Sequence, residues 1–347
     1  MPKPTLTVLI DYKEQFYCAH KKTQRFTDLE RTGALFAQAG IEQVVRRFED
    51  LDFAREDFRD QPVWYQSSQD RGLHYKSFIE DVLLGLQLQG AVLLPAFHLF
   101  RAHHNKVFLE ILRDLSGAPR IQRLRSLRFG TYEAFDRVAD SLPYPQVLKG
   151  AAGDSGRAVR LVTSPRQARR EARRLSYAFT PGDELDNLKK SIQYRDWVPH
   201  SRYRCKFIAQ PFVPGLENDF RVQAYGHRDG PHYVVMRREI HPRSINASGG
   251  KGARTWPEHL PDGLLDLAEE VFQRFPAPFA SMDLMHDGHD LYLGEVQYLR
   301  YGTYATTHAP HVWQRRDGAW HRVVGPRQWE AELVQAVIWY LEEQPWK

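Results

Sequence analysis

The sequence predicts an α/β protein whose first hundred residues form an open, largely parallel sheet, with an α+β arrangement in the rest of the chain. Strand patterns alternate with amphipathic helix patterns up to about residue 100, and strand pairs joined by short turns follow later. No internal repeat or low-complexity tract interrupts these patterns. Because 347 residues exceed the usual size of one domain, we expect two or three packed units.

The elements of the first hundred residues follow from hydrophobic period and composition. The stretch 5–10 is rich in β-branched residues and predicts a buried strand. Helices are predicted over 28–39 and 77–87, where apolar residues recur at helical spacing. Short strands are predicted over 63–66 and 91–94. Alternation of this kind is typical of a parallel sheet with crossover helices.

The remaining elements are predicted in the same way. A helix over 105–115 ends before Gly117 and Pro119. Strands over 146–149 and 158–162 flank a glycine-rich segment, an arginine-rich helix follows, and a polar stretch continues to about residue 200. Further strands are predicted over 204–213, 219–226 and 232–240, then a helix over 264–275, two strands that carry acidic residues, and a closing helix over 328–341.

Bulk composition excludes several classes of protein. No apolar run approaches the roughly 18 residues that a membrane span requires, and no signal peptide is visible before the first strand. Cys18 and Cys205 are too few for a disulfide framework, so we expect reduced thiols in a cytoplasmic protein. The net charge of +5 suits an anionic nucleotide but does not indicate nucleic-acid binding. We expect no metal site from the spacing of the 15 histidines.

Two acidic residues in adjacent predicted strands are the strongest chemical signal. Asp283 ends one apolar stretch, and Glu295 lies in the next, after a turn at Asp287 and Gly288. Surface acids at strand ends are the ordinary alternative. However, both acids lie among apolar residues, and buried acids are costly unless they are paired or bound to a metal. Magnesium is held by a few such carboxylates together with nucleotide phosphates, so we predict a magnesium site here.

A glycine-rich segment upstream is a candidate phosphate-binding loop. Gly150, Gly153 and Gly156 lack β-carbons, so backbone N–H groups there can approach phosphate oxygens closely. Lys149, at the end of the preceding strand, supplies a positive charge to the same phosphates. The segment is neither a P-loop nor a dinucleotide fingerprint, and an ordinary hairpin turn is the alternative.

Two further segments are candidates for the site. A strand that leaves its sheet around Pro214 and Gly215 offers backbone groups to an adenine, with apolar contact from Phe212 and Val213 and a ribose contact from Glu217; the alternative is a simple crossover. A group of arginines follows this segment: Arg237, Arg238 and Arg243, with Asn246 nearby. These arginines are candidates to neutralise a transferring phosphoryl group, and surface cations are the alternative.

One arginine stripe is predicted to be a solvated helix face rather than a docking surface for an acidic partner. Its residues fall at i, i+3, i+4, i+7 and i+8. They are Arg166, Arg169, Arg170, Arg173 and Arg174.

The order of these segments resembles the ATP-grasp superfamily of carboxylate–amine ligases, of the glutathione synthetase, ribosomal-protein glutamate ligase and D-alanine–D-alanine ligase type. The resemblance runs from about residue 105 to about residue 303. It implies an α/β domain over 1–104 with substrate contacts, a lid subdomain with the glycine-rich loop over 105–213, and a catalytic subdomain with the magnesium site over 214–347.

The resemblance implies a role for each matched residue. ATP contacts are implied for Lys106, Lys149, Gly153, Gly156, Gln210, Phe212, Val213 and Glu217, with Gln210 standing where the family has an acid. One or two Mg²⁺ ions are implied at Asp283, Glu295 and Gln297, with Gln297 replacing an asparagine. Stabilisation of the acyl phosphate is implied for Arg221, Arg237, Arg238 and Asn246.

The implied reaction is ATP-dependent formation of an amide bond through an acyl phosphate, with release of ADP and phosphate. Its partners are a small carboxylate and an amine; we expect no membrane and no nucleic acid, and a homodimer is compatible with the resemblance. Two alternatives stay open. One is a kinase that stops at phosphorylation, and the other is a catalytically silent protein that binds nucleotide or nucleic acid.

Overall fold

The structure is a computed structural model that describes residues 4–16, 27–68, 70, 72–152, 158–240, 252–325 and 327–343. The chain divides into two compact units. Unit 1 comprises Met1–His103, Asn218–Glu239 and Gly252–Lys347, and unit 2 comprises His104–Glu217 and Ile240–Lys251. Each unit has its own sheet and core. The three-part division at residues 104 and 213 stays a prediction.

The first part of unit 1 confirms the predicted parallel sheet. Four strands are ordered β2-β1-β3-β4, and every pairing is parallel. Asp28 caps the first helix by accepting a hydrogen bond from the Arg31 N–H. The elements are β1 (Thr5–Ile10), α1 (Leu29–Gln38), β2 (Glu42–Arg47), β3 (Pro62–Tyr65), α2 (His74–Leu88), β4 (Val92–Leu94) and α3 (Phe97–Ala102).

The strand β2 was not predicted, because its sequence carries little of the strand pattern. Only Val44 and Val45 are apolar among its six residues, and both arginines that follow them are polar. It lies at the edge of the sheet, where pairing with β1 supplies hydrogen bonds on one side only. An edge strand needs less apolar surface than the central strand β1, five of whose six residues are buried.

Unit 2 is built on a second sheet, ordered β5-β8-β6-β7, in which every pairing is antiparallel. One face of this sheet packs on α6 and α7 through a core that includes Phe129, Phe135, Leu148 and Phe207. The elements are α4 (Lys106–Leu115), α5 (Pro119–Gln122), β5 (Leu127–Phe129), α6 (Tyr132–Asp136), β6 (Gln146–Gly150), β7 (Val159–Val162), α7 (Pro165–Ser176), α8 (Pro181–Gln193) and β8 (Phe207–Pro211).

The arginine stripe on α7 is largely engaged within unit 2. Arg169 pairs with Asp136 at 2.6 Å and with Asp140 at 2.7 Å. Arg170 and Arg174 both pair with Glu171, and Arg173 lies over the ring of Tyr132. These contacts use most of the stripe inside the unit. The Arg170 and Arg174 side chains are still 61% and 67% exposed, and the expectation that the stripe is not a docking surface stays a prediction.

The second part of unit 1 carries a seven-stranded antiparallel sheet, ordered β13-β12-β9-β10-β14-β15, with the short strand β11 paired to β10. Its last two strands, over 311–316 and 319–324, were not predicted from the sequence. The elements are β9 (Asn218–Tyr225), β10 (His232–Glu239), β11 (Arg254–Thr255), α9 (Leu264–Arg274), β12 (Phe279–His286), β13 (Leu291–Gln297), α10 (Tyr304–Thr307), β14 (His311–Arg316), β15 (Ala319–Val324) and α11 (Trp329–Glu343).

The two faces of this sheet differ in chemistry. One face packs on α9, with the Tyr233 and Phe272 rings 6.3 Å apart. The other face is apolar at the Tyr225 end, where it joins the core formed with α11 and β1, and polar at the opposite end of the same strands. Side chains alternate between the two faces along a strand, so the register places the polar residues Asp219, Arg221, Arg238 and Asp283 on one face.

Within the described ranges, no helix is both long enough and apolar enough to cross a bilayer.

A buried ion pair in unit 2 predicts a specific instability. Arg113 Nε lies 3.1 Å from Glu110 Oε2, and both side chains are almost fully buried. Removing one partner of such a pair leaves an uncompensated buried charge. We therefore expect Glu110→Ala to lower the free energy of unfolding by about 3–5 kcal/mol, measured by urea denaturation.

The control is Arg125→Ala, which removes an exposed ion-pair partner of Asp114. Asp114 lies on the same helix as Glu110. Exposed pairs contribute about 1 kcal/mol or less, so the control should shift the denaturation midpoint little. Equal effects of the two substitutions would contradict the prediction.

Candidate active site

Asp283 and Glu295 are neighbours on one face of the large sheet. They are opposite each other in the register of β12 and β13, and Gln297 lies opposite Ser281 on the same face. The register shifts directly after Asp283, because Gly294 is an extra residue in β13. Without that bulge, Glu295 would point to the opposite face. A β-carbon at position 294 would lie 3.0 Å from the Asp283 carbonyl oxygen, so glycine suits the bulge.

An ion-pair network joins β9, β10 and β12 on this face. Arg221 donates from Nε to Asp283 Oδ1 at 2.9 Å and from Nη2 to Asp283 Oδ2 at 3.1 Å. Arg238 binds Asp219 through two hydrogen bonds of 2.6 Å, and its Nη2 lies 3.0 Å from Asp283 Oδ2. Two carboxylates and two guanidiniums therefore form a neutral, alternating chain: Asp219, Arg238, Asp283, Arg221.

The two aspartates of this network titrate differently. Burial alone would raise the pKa of Asp283, but Arg221 and Arg238 hold that pKa well below its ordinary value. Burial raises the pKa of Asp219 above its ordinary value; Arg238 opposes this rise, and the Asp283 carboxylate adds to it. Asp283 faces two guanidiniums and Asp219 faces one. Asp219 is therefore the first of the two to take a proton as the pH falls, and Asp283 stays ionised.

Three polar residues that the sequence did not reveal support this face. Gln223 donates to the Gly302 carbonyl at 2.8 Å and accepts from the Thr306 hydroxyl at 2.6 Å. The Tyr225 hydroxyl lies 2.6 Å from the same Thr306 oxygen. This buried chain fixes the segment after β13 to β9. The available signal was the alternation of Asp219, Arg221, Gln223 and Tyr225 along one strand.

In unit 2, Lys149 is held by an amide. Its Nζ donates to Gln210 Oε1 at 2.6 Å, and the Gln210 amide nitrogen donates to Ser126 Oγ at 3.2 Å. Gln210 is buried and Lys149 is half-buried on the same face of β6 and β8. The structure therefore brings together Lys149, which precedes the glycine-rich segment, and Gln210, which begins the predicted adenine-binding segment.

The start of the glycine-rich segment is anchored to α4. The Lys106 N–H donates to the Ala151 carbonyl at 3.0 Å, and the Ala151 N–H donates to the Lys206 carbonyl at 3.0 Å. Asn105 caps the same helix by accepting from the Phe108 N–H. The structure thus places Lys106 beside the end of β6. Gly153 and Gly156 lie outside the described residues.

The predicted adenine-binding segment is only partly available to a ligand. The Phe212 N–H already donates to the Pro145 carbonyl at 3.2 Å, so it is not offered to an adenine in this conformation. The Val213 side chain is buried. Glu217 presents an exposed side chain, and its carbonyl accepts from the Ile240 N–H at 2.9 Å.

Two predicted catalytic residues are not brought into the network. Arg237 precedes Arg238 on β10 and therefore lies on the opposite face of the sheet, opposite Phe220 in the register. Its position gives no support to a role beside Arg238. Asn246 lies outside the described residues.

Comparison with known proteins gives a match in structure only. No family model matches the chain, and no curated protein matches it. Many solved structures match this chain. The three described next are each 14% identical to it in sequence.

Three of these structures span most of this chain. D-cycloserine synthetase DcsG is 14% identical, with a TM-score of 0.55, over 97% of this chain and 100% of that one. The ADP complex of purK, an N5-carboxyaminoimidazole ribonucleotide synthetase, is 14% identical, with a TM-score of 0.51, over 88% and 73%. The ATP-grasp ligase PsnB, complexed with a minimal precursor, is 14% identical, with a TM-score of 0.50, over 97% and 99%. The chain has the ATP-grasp fold.

Proposed function

We propose that this protein is an ATP- and Mg²⁺-dependent carboxylate–amine ligase that forms an amide bond through an acyl phosphate. One observation carries the proposal. Asp283, Glu295 and Gln297 share a sheet face with Arg221 and Arg238, so hard oxygen donors and guanidinium groups adjoin. Phosphoryl transfer depends on that combination, because it requires positioning and charge neutralisation.

The donor set fits magnesium. Asp283 and Glu295 offer carboxylate oxygens and Gln297 offers an amide oxygen, which are the ligand types that Mg²⁺ accepts together with phosphate oxygens. A carboxylate has about four lone-pair positions, so Asp283 can keep its arginine contacts and still bind a cation. When bound, Mg²⁺ would neutralise the charge of the nucleotide phosphates.

The two arginines have different roles in this proposal. Arg238 is buried and is held on both sides by Asp219 and Asp283, so it keeps Asp283 ionised and oriented. Arg221 contacts Asp283 alone in this network and is 20% exposed, so its guanidinium can turn toward a transferring phosphoryl group. We assign Arg221 to stabilisation of the acyl phosphate and Arg238 to positioning.

In unit 2, Lys149 and Lys106 are proposed to contact the nucleotide phosphates. Gln210 orients the Lys149 ammonium without neutralising it, because an amide carries no charge. An acid at position 210 would reduce the positive charge that Lys149 offers to an anionic ligand. The proteins with similar structures are named as synthetases or as a ligase, and one is an ADP complex, which supports ATP as the nucleotide.

The reaction class can be tested with an isotope. Pools of carboxylic acids and amines are screened for ADP release, and the active acid is then labelled with ¹⁸O in its carboxylate. We expect one ¹⁸O atom in the released phosphate, because the acyl phosphate forms through a carboxylate oxygen. A phosphorylated product without free phosphate would indicate a kinase, and either that result or unlabelled phosphate would contradict the proposal.

The metal assignment predicts the effect of Glu295→Ala. This substitution should abolish ADP release while far-UV circular dichroism stays unchanged, because it removes a proposed magnesium ligand. The matched control is Asp290→Asn, which removes one acidic charge at the far end of the same hairpin. Normal turnover by Glu295→Ala with its cognate substrates would show that the metal assignment is wrong.

The phosphate contact predicts the effect of Lys149→Gln. A hydrogen bond to a charged group contributes about 1.5–3 kcal/mol, so the KM for ATP should rise about 10- to 100-fold. Arg166→Gln is the control, because it removes a cation from an exposed position in the same unit. Similar KM values for the two variants would exclude Lys149 from the nucleotide site.

A further inference from the structure

A second group of ligand-type side chains lies at the opposite end of β9 and β10. The loop that joins these strands carries His227 and Asp229, and β10 begins at His232. One ligand atom from each of these residues lies within 4.8 Å of the other two. Asp219 is six residues from the loop end of β9, about 20 Å along the strand. This group is therefore separate from the candidate active site.

We propose that His227, Asp229 and His232 bind one transition-metal ion of the zinc type. Two imidazole nitrogens and one carboxylate oxygen form a three-ligand set that leaves a fourth position for water. Imidazole nitrogens favour Zn²⁺, Co²⁺ or Ni²⁺ over Mg²⁺, which prefers oxygen donors.

Asp229 Oδ1 lies near a ring nitrogen of both histidines. His232 Nε2 lies 3.4 Å from Asp229 Oδ1, and ligand atoms of a tetrahedral zinc site are separated by about 3.4 Å. His227 Nδ1 lies 2.5 Å from the same oxygen, so this pair must open by less than about 1 Å. The His227 and His232 rings are stacked with centroids 4.2 Å apart, so their in-plane lone pairs lie in nearly parallel planes. The His227 side chain, at 27% exposure, must therefore turn before both lone pairs point at one ion.

The buried histidine has a carboxylate near its other ring nitrogen. His232 Nδ1 faces Glu332 Oε2 at 3.9 Å, and neither atom has a hydrogen-bond partner among the described residues. Glu332 is itself fixed by Arg327, whose Nη1 lies 3.3 Å from Oε1. If the two side chains approached by about 1 Å, Nδ1–H could donate to the Glu332 carboxylate, and the Nε2 lone pair would then be directed toward Asp229.

The loop is held in place before any ion arrives. The Gly226 N–H donates to the Pro278 carbonyl at 2.9 Å, and Gln314 donates to the Asp229 carbonyl at 2.6 Å. A β-carbon at Gly226 would lie 1.7 Å from the Trp339 ring, so only glycine fits at this position. An ion bound here would connect the β9–β10 loop to α11 through His232 and Glu332, and would stabilise unit 1.

Metal analysis of the full chain tests this inference. Protein stripped with a chelator is dialysed against Zn²⁺ in excess Mg²⁺ without nucleotide, and bound zinc is measured by elemental analysis. We expect one equivalent in the wild type, with a higher melting temperature than the stripped protein. His227→Ala and Asp229→Asn should lose the equivalent and the temperature shift. Glu332→Gln should weaken zinc binding about 10- to 100-fold.

Two controls separate this site from other histidines and from the proposed magnesium site. His289→Ala changes an exposed histidine in another hairpin turn, and Glu295→Ala removes a proposed magnesium ligand; both should keep the equivalent. His227 and Asp229 lie at the surface, so loss of folding is not expected, and circular dichroism checks this. Absence of bound zinc in the wild type, or its retention in both loop variants, would overturn the proposal.

Discussion

The alternating chain of charges from Asp219 through Arg238 and Asp283 to Arg221 is the interaction on which the candidate active site depends. Partly buried carboxylates are costly when they are alone, and here each has a guanidinium within hydrogen-bonding distance. The network keeps Asp283 ionised and in place, next to Glu295. It also ties three neighbouring strands together through side chains as well as through their backbone ladder.

The pairing of three neighbouring strands forms this network. Antiparallel pairing of β9 with β10 and with β12 places the four charged residues on one face, and helix α9 covers the other face with apolar side chains. The same strands carry an apolar end that joins the core of unit 1. One sheet therefore serves as scaffold and presents different groups of polar side chains at the two ends of β9 and β10.

Much of the scaffold was predictable because its periods are strong. The strand over 5–10 and the helices near 28–39 and 264–275 were confirmed within one or two residues, and the two expected strands that carry Asp283 and Glu295 are present. Other elements were missed. The apolar residues of helix α8, Leu185, Leu188 and Ile192, recur at helical spacing, but they stand among polar residues and stay exposed in the structure. The strands β14 and β15 pair with each other, and β15 lies at the edge of the sheet.

The sequence by itself determined the residue types, their order along the chain and the local elements, because these depend on short-range periodicity. Only the tertiary structure decided which side chains meet. The bulge at Gly294 turns Glu295 to the face of Asp283, whereas strict alternation along β10 places Arg237 on the face opposite to Arg238. His232 faces Asp229, which lies three residues before it, and Glu332, which lies about one hundred residues after it. No spacing along the chain could indicate the contact with Glu332.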